Sequence, residues 1–113
     1  MKGDDKMHII NIATAFSSKP GARFKTDGEF SGEQFREEFL VPLFKDSSDN
    51  SKIQIILDGL YGHPTSFLDE AFGGLARDYG KERCLERFEF ISSDTPLLRE
   101  EIQNYIKNCD EKK

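Results

Sequence analysis

The stretch Lys52–Gly80, KIQIILDGLYGHPTSFLDEAFGGLARDYG, decides the fold of this chain. It begins with a short apolar run, Ile53–Leu57, which is typical of a central strand. A polar loop follows, and a helix is predicted to begin near Thr65 or Ser66, with an apolar residue every three or four positions. This order directs backbone N–H groups and two hydroxyls at the surface beyond the strand's carboxyl end. Open α/β sheets tend to bind ligands and partners at that place.

Three more strands are predicted outside this stretch. His8–Phe16 is apolar and β-branched, Ala22–Lys25 is a candidate for a brief strand that folds back on it, and Arg87–Ile91 alternates like a more exposed strand. Helical patterns separate the later strands. The sequence therefore predicts an α/β fold: a small single-layer sheet, mixed or mainly parallel, of about four strands, with helices packed mainly on one face.

Two further helices have recognisable first residues. Ser31 and Gln34 form a Ser-x-x-Gln capping box, and the apolar residues behind them make one stripe that faces the sheet. Thr95 followed by Pro96 is an N-cap with proline at the first helical position, which opens the final helix.

Length, composition and charge restrict the possible functions. With 113 residues, 36% hydrophobic, the chain is expected to form one domain over 1–113, with a core of about 8–107 and flexible tails at 1–7 and 108–113. The net charge of −5 argues against nucleic-acid binding. No apolar run is long enough to span a membrane and no signal peptide is evident, so a cytoplasmic location is expected. Cys84 and Cys109 are interpreted as reduced thiols, with a disulfide as the alternative.

The loop after the central strand carries the candidate site. Asp58 ends the strand, and two glycines, Gly59 and Gly62, let the chain turn. The hydroxyl of Thr65 or Ser66 is interpreted as a helix cap. The alternative is that one of them is a phosphoacceptor, because a helix N-terminus stabilises a phosphate group.

Two other features also leave two interpretations open. Gly73-Gly74 inside a helix indicates close approach of another backbone, either that of the domain's own sheet or that of a partner at an exposed docking surface. Arg36 lies in the first turns of its helix, where it pairs with Glu33, Asp27 or Glu70, or else binds an anionic ligand or a partner carboxylate.

Enzyme motifs are absent from the sequence. It has no GxSxG, no GxxxxGK[ST] and no GxGxxG, and the two histidines do not form a ligand-spaced cluster. A hydrolase or metal site built from His63, Asp58 and Glu70 is a remote alternative. We therefore expect no catalytic residues, no metal and no cofactor.

The chain resembles the STAS-like domain family of unknown function, whose relatives include sulfate-transporter and anti-sigma-factor-antagonist domains. The resemblance covers about residues 9–106. It depends on the following runs: Pro20-Gly21-x-Arg23, Ser31-Gly32-x-x-Phe35-Arg36, Leu40-x-Pro42, and Tyr61-Gly62 leading to Ser66-Phe67-Leu68-x-Glu70-x-Phe72-Gly73-Gly74-Leu75.

The resemblance implies a non-enzymatic regulatory module of a bacterial cytoplasm that docks a protein partner, a GHKL-type ATPase or kinase. In anti-sigma-factor antagonists a serine at this strand-to-helix junction is phosphorylated by such a partner, which releases the antagonist. By position Ser66 is the acceptor, with Thr65 beside it, although Phe67 stands where the antagonists have a small glycine. The ring either blocks a kinase or anchors the partner.

The residues expected to contact a partner or ligand are Asp58, Tyr61, Gly62, His63, Phe67, Glu70, Gly73, Gly74, Arg23 and Arg36. A second hypothesis assigns the same region to a small anionic ligand, such as a nucleotide. The ligand would bind at the helix N-terminus with Arg23 or Arg36 as its counter-charge.

Overall fold

A computed structural model describes residues 7–61 and 64–110. Its sheet has three parallel strands in the order of the chain, β1 (Met7–Asn11), β2 (Lys52–Ile56) and β3 (Phe88–Ile91). Ile10 and Phe90 lie on either side of Ile55. The predicted α/β fold is confirmed, and the run that was expected to form the central strand does so.

The expectation of about four strands is wrong for the described residues, because Ala22–Lys25 is not a strand. The carbonyl oxygens of its first two residues accept hydrogen bonds from the N–H groups of Gly32 and Glu33, at 2.9 and 3.0 Å. The first N–H groups of a helix have no acceptor inside the helix, and the carbonyl oxygens of this loop act as their acceptors. Lys25–Asp27 then forms a short 3₁₀ turn.

The first strand is shorter than the predicted His8–Phe16. It ends at Asn11, whose side chain accepts a hydrogen bond from the N–H of Thr14 at 3.3 Å and so caps a one-turn helix, α1 (Ile12–Ala15). Asparagine is among the preferred N-cap residues. Local capping therefore stops the strand although apolar residues continue.

The two long helices each contain a π turn. In the first, the Ser31 Oγ accepts a hydrogen bond from the N–H of Gln34 at 3.0 Å, as the capping box predicts. The Gln34 side chain donates to Glu38 instead of returning to the cap, so only one arm of the box is present. Each helix has three consecutive segments, of which the second is the π turn. The segments of α2 are Gly32–Phe35, Arg36–Leu40 and Val41–Phe44. Those of α3 are Thr65–Leu68, Asp69–Gly73 and Gly74–Tyr79.

A helix that was not predicted, α4 (Lys81–Arg87), separates α3 from β3. Gly80 divides the two helices with φ of 104°, a left-handed angle that glycine adopts without strain. Because Arg87 ends α4, the strand begins one residue later than predicted. The final helix, α5, spans Leu97–Lys107, with Pro96 rather than Thr95 at its N-cap.

The helices cover one face of the sheet. On β2, Ile53 and Ile55 are fully buried, whereas Gln54 and Ile56 between them are partly exposed. On the open face, Ile9 of β1 is 62% exposed. The predicted single layer with helices mainly on one face is thus present, and it leaves the carboxyl ends of all three strands at one edge.

Candidate functional site

The loop after β2 is linked to the loop after β3. The Asp58 carboxylate accepts hydrogen bonds from the N–H groups of Ser93 at 2.6 Å and Asp94 at 2.9 Å. In the opposite direction, the Asp94 carboxylate accepts a hydrogen bond from the N–H of Gly59 at 3.1 Å. Hydrogen bonds from Asp94 and Ser93 lower the pKa of Asp58. Asp58 is therefore a positioning residue for two loops at the carboxyl edge of the sheet.

Tyr61 stands beside this link and points its ring outward. Tyr61 is 65% exposed, and its N–H donates to the carbonyl oxygen of Ser18 at 2.8 Å. The Lys19 Nζ lies 5.4 Å from the ring centroid. An amphipathic ring held by its backbone is well suited to recognition by another molecule.

Thr65 and Ser66 are exposed at the first two positions of α3. The interpretation that one of them caps the helix is wrong: Pro64 occupies the N-cap, and no side chain makes a cap hydrogen bond. The Leu68 N–H bonds to the Pro64 carbonyl oxygen at 3.0 Å, so the helix starts one residue earlier than a cap at Thr65 requires. Both residues are exposed. We call Asp58–Tyr61 together with 64–66 the carboxyl-edge surface.

Several predicted site residues lie elsewhere. Gly62 and His63 fall outside the described residues. The ring of Phe67 is fully buried between Phe16 and Phe35, so it belongs to the core and not to a docking surface. The bulky ring after Ser66 therefore does not stand on the surface beside that serine.

Arg36 and Glu70 form a buried ion pair between the π turns of α2 and α3. The Arg36 Nη1 lies 2.5 Å from Glu70 Oε2 and donates to the Glu70 carbonyl oxygen at 2.7 Å. Only 9% of Arg36 and 4% of Glu70 is exposed. Of the two interpretations of Arg36, the structure shows the ion pair, with Glu70 as its acid.

Two further arginines surround the same acid. Arg23 Nη1 lies 2.8 Å from Asp69 Oδ2 and 3.6 Å from Glu70 Oε1, and Arg77 Nη2 lies 3.6 Å from Glu70 Oε2. The hydrogen bond with Asp69 is the main cause that raises the pKa of Arg23. We call these five residues the arginine cluster. Sequence analysis missed Arg77, although it follows Glu70 by two helical turns and so shares its face.

The two glycines of α3 make room for this cluster. A Cβ on Gly74 would overlap the Arg36 guanidinium, and a Cβ on Gly73 would lie 2.8 Å from Asp69 Oδ1 and 3.2 Å from the Tyr105 carbonyl oxygen of α5. Both glycines are buried. Of the two interpretations, close packing within the domain is observed, against helices and an arginine instead of the sheet.

Other kinds of site find no support in the described parts of the chain. Within residues 7–61 and 64–110, no group of three or more acidic, histidine or cysteine side chains is placed to hold a metal ion. No helix in these ranges has both the length and the hydropathy to cross a bilayer. Asp58 bonds to the β3–α5 loop whereas Glu70 bonds to arginines, so the structure does not bring these two carboxylates to one shared partner.

Comparison with known proteins now identifies the family. A family model described as a STAS-like domain of unknown function matches residues 31–98, which run from the cap of α2 into α5. The chain belongs to this STAS-like family. The match includes the whole of α2, β2, α3 and β3, and with them most of the arginine cluster. No curated protein and no solved structure matches the chain.

Proposed function

We propose that this STAS-like domain is a non-enzymatic regulatory module that binds a protein partner through its carboxyl-edge surface. The proposed partner is a GHKL-type ATPase or kinase, and phosphorylation of Ser66 is the proposed release signal. Membership in a STAS-like family is consistent with a regulatory module. The observation that carries the proposal is the exposure of Thr65 and Ser66, uncapped, at the start of α3.

The surroundings of Ser66 favour a phosphate there. A phosphoserine in the first turn of a helix interacts favourably with the backbone N–H groups and the helix dipole. The acids that follow, Asp69 and Glu70, would repel it, but both are paired with arginines. A partner docked on this surface would in turn meet about 1.5 to 2 new negative charges, which accounts for release.

The nucleotide hypothesis has less support. It requires Arg36 or Arg23 as a counter-charge at the helix start, yet Arg36 is buried on Glu70. Arg23 lines a cleft with Asp69 and residues of α5, and neither Thr65 nor Ser66 lines that cleft. The protein-binding proposal needs no such charge.

The test is to incubate the purified chain with a GHKL-type protein encoded beside it and with ATP. We expect a complex on size exclusion and a single phosphate, located by mass spectrometry at Ser66. Ser66→Ala is expected to bind but not to be modified, and Ser66→Glu to bind about tenfold or more weakly, as for a charge placed in an interface.

Ser47→Ala is the control, because Ser47 is also an exposed serine but lies in the loop before β2, outside the carboxyl-edge surface. It is expected to behave like the wild type. If the wild type forms no complex and neither Thr65 nor Ser66 carries phosphate, the proposal is refuted.

A further inference from the structure

A cleft of about 270 Å³ opens beside the arginine cluster, between the π turn of α3 and the last turns of α5. Arg23 and Arg77 lie on its α3 side, and polar residues of α5 close the opposite side. The cleft is lined by Arg23, Asp69, Glu70, Gly73, Gly74, Arg77, Asn104, Tyr105, Asn108, Cys109 and Asp110.

Arg77 has hydrogen-bonding capacity that residues 7–61 and 64–110 do not use. Its nearest carboxylate oxygens are Glu70 Oε2 at 3.6 Å and Asp78 Oδ1 at 4.0 Å. Both distances exceed a hydrogen bond. Among the described residues, its guanidinium has no hydrogen-bond acceptor. A guanidinium carries five N–H donors in a planar fork that matches the two oxygens of a carboxylate or phosphate.

Arg23 strengthens this feature from the same side of the cleft. It contacts Asp69 and Glu70 through Nη1 alone, which leaves its other nitrogens without a described acceptor. Asn104 is an exposed residue of α5 on the opposite side, and its amide adds two N–H donors. Donors from two helices and a loop therefore converge on one opening.

The formal charges around the cleft balance. Three arginines meet three carboxylates, those of Asp69, Glu70 and, at 4.0 Å from Arg77 Nε, Asp78. Asp110 is an exposed carboxylate at the rim, and water screens its charge. An anion is therefore favoured by the unused N–H donors of Arg77 and Arg23 and not by net charge.

A second cleft, of about 260 Å³, shows what a purely structural arginine site looks like in this domain. Both of its arginines donate to the protein: Arg83 donates to the carbonyl oxygens of Phe44 and Asp46, and Arg87 donates to those of Leu43 and Ser51. Only the buried Arg83 Nε has no acceptor among the described residues. Arg77 differs because none of its guanidinium nitrogens has such an acceptor.

We propose that the cleft between α3 and α5 binds a small oxyanion, a carboxylate or phosphate group, through the Arg77 fork with Arg23 beside it. The volume lies just below the range of about 300 to 1,000 Å³ that is usual for drug-sized ligands, so a small oxyanion fits the cleft. The site is separate from the carboxyl-edge surface and does not depend on the function proposed for it.

The experiment uses the full chain and two probes, inorganic phosphate and succinate, each titrated at constant ionic strength with chloride as the reference anion. Nitrogen–proton NMR spectra report on the Arg Nε–Hε groups and on the backbone of Gly73 and Gly74. We expect saturable shifts at these groups with one probe or both, and the stronger probe distinguishes a phosphate site from a carboxylate site.

Two variants and one control make the result decisive. Arg77→Gln removes the fork and is expected to weaken binding by about tenfold or more, as for a charge-assisted hydrogen bond. Asn104→Asp adds a carboxylate on the exposed side of α5 and is expected to weaken binding without disturbing the fold. Arg99→Gln changes an exposed arginine of α5 outside the cleft and is expected to bind like the wild type.

The proposal is overturned if neither probe gives saturable shifts below about 10 mM, a weak limit on the affinity scale. It is also overturned if Arg77→Gln and Asn104→Asp bind as well as Arg99→Gln. Circular dichroism and thermal melting of each variant show whether a loss of binding is a loss of fold. If Arg77→Gln does not fold, Asn104→Asp decides alone.

Discussion

Glu70 shows how much of this domain depends on one side chain. It is a carboxylate with only 4% of its surface exposed, and it sits among three guanidinium groups. A buried ion pair gains little over apolar packing, but removal of one member leaves the other charge buried and unpaired. The pair with Arg36 also joins the two helices that carry the π turns, so its loss acts on both.

We predict that Glu70→Gln lowers the free energy of unfolding by about 3 kcal/mol, because the Arg36 guanidinium stays buried without its counter-charge. Urea denaturation followed by circular dichroism measures the change. The matched control is Glu37→Gln, which removes an exposed carboxylate from the Lys25 ion pair and is expected to have a much smaller effect. Equal losses in the two variants would contradict this role for Glu70.

At the residue scale, the sequence included the right partner of Arg36 among its candidates, but it did not predict the arginine cluster. Glu70 was one of three acids considered for Arg36, since helix position alone does not say which helix lies opposite. The part of Arg77 and Asp69 in the cluster was not predicted, because a charged side chain on a helix is far more often solvated than buried in a cluster. Only the crossing of α2 over α3 brings the arginines together, and a periodic pattern does not encode a crossing.

At the scale of elements, the two loops at the carboxyl edge act as one unit. Asp58 receives two N–H groups from the β3–α5 loop, and Asp94 receives one from the β2–α3 loop. These bonds hold Tyr61 and the first turn of α3 at the end of the sheet. The unit depends on Asp58 in its ionised form, since the carboxylate is what attracts both donors.

We predict that the stabilisation from Asp58 disappears in acid. The pKa of Asp58 is lowered in the folded state, so its stabilising effect is complete above the unfolded pKa of about 3.9 and is lost as pH falls through the lower folded pKa. Urea denaturation of the wild type and Asp58→Ala between about pH 7 and 3 tests this. We expect the wild type to be the more stable at neutral pH, with a difference that shrinks below about pH 4. A difference that stays constant with pH would show that the carboxylate charge is irrelevant.

Helices and strands were predicted correctly where a long apolar pattern defined them, and wrongly where a single local hydrogen bond decided the structure. The apolar run of β2 and the stripes of α2 and α3 identified their elements, because burial on one face needs several residues in register. The end of β1 at Asn11 and the missing strand at Ala22–Lys25 were decided by single hydrogen bonds to Thr14 and to the start of α2. Helix α4 is two turns long, too short for its period to be distinct.

At the scale of the whole molecule, aromatic rings connect the helices to the sheet. The ring of Phe72 lies 6.1 Å from that of Phe35 in α2 and 5.3 Å from those of Phe88 and Phe90 in β3. Phe16 extends the chain of rings towards α1, at 5.3 Å from Phe35. The high phenylalanine content of the sequence indicated a core of rings, but which ring joins the layers follows from the fold alone.

We predict that Phe72→Ala lowers the free energy of unfolding by about 3 to 5 kcal/mol, the usual cost of emptying a buried phenylalanine site. Loss of this magnitude comes from both the vacated volume and the broken contact between layers. Phe24→Ala is the matched control, because Phe24 is an exposed ring, and it is expected to change little. Thermal melting of the two variants tests the prediction, which fails if Phe72→Ala melts within a degree or two of the control.

The purely parallel sheet has a consequence for the order in which the chain folds. Neither strand pair is joined by a hairpin. In the sequence, α2 and its loops separate β1 from β2, and α3 and α4 separate β2 from β3. Contacts between distant parts of a chain are slow to form, because loop closure costs entropy before any pairing is gained. Helical segments should consequently assemble ahead of the strands, and the newly made chain must keep Ile53 and Ile55 away from other molecules until all three strands have met.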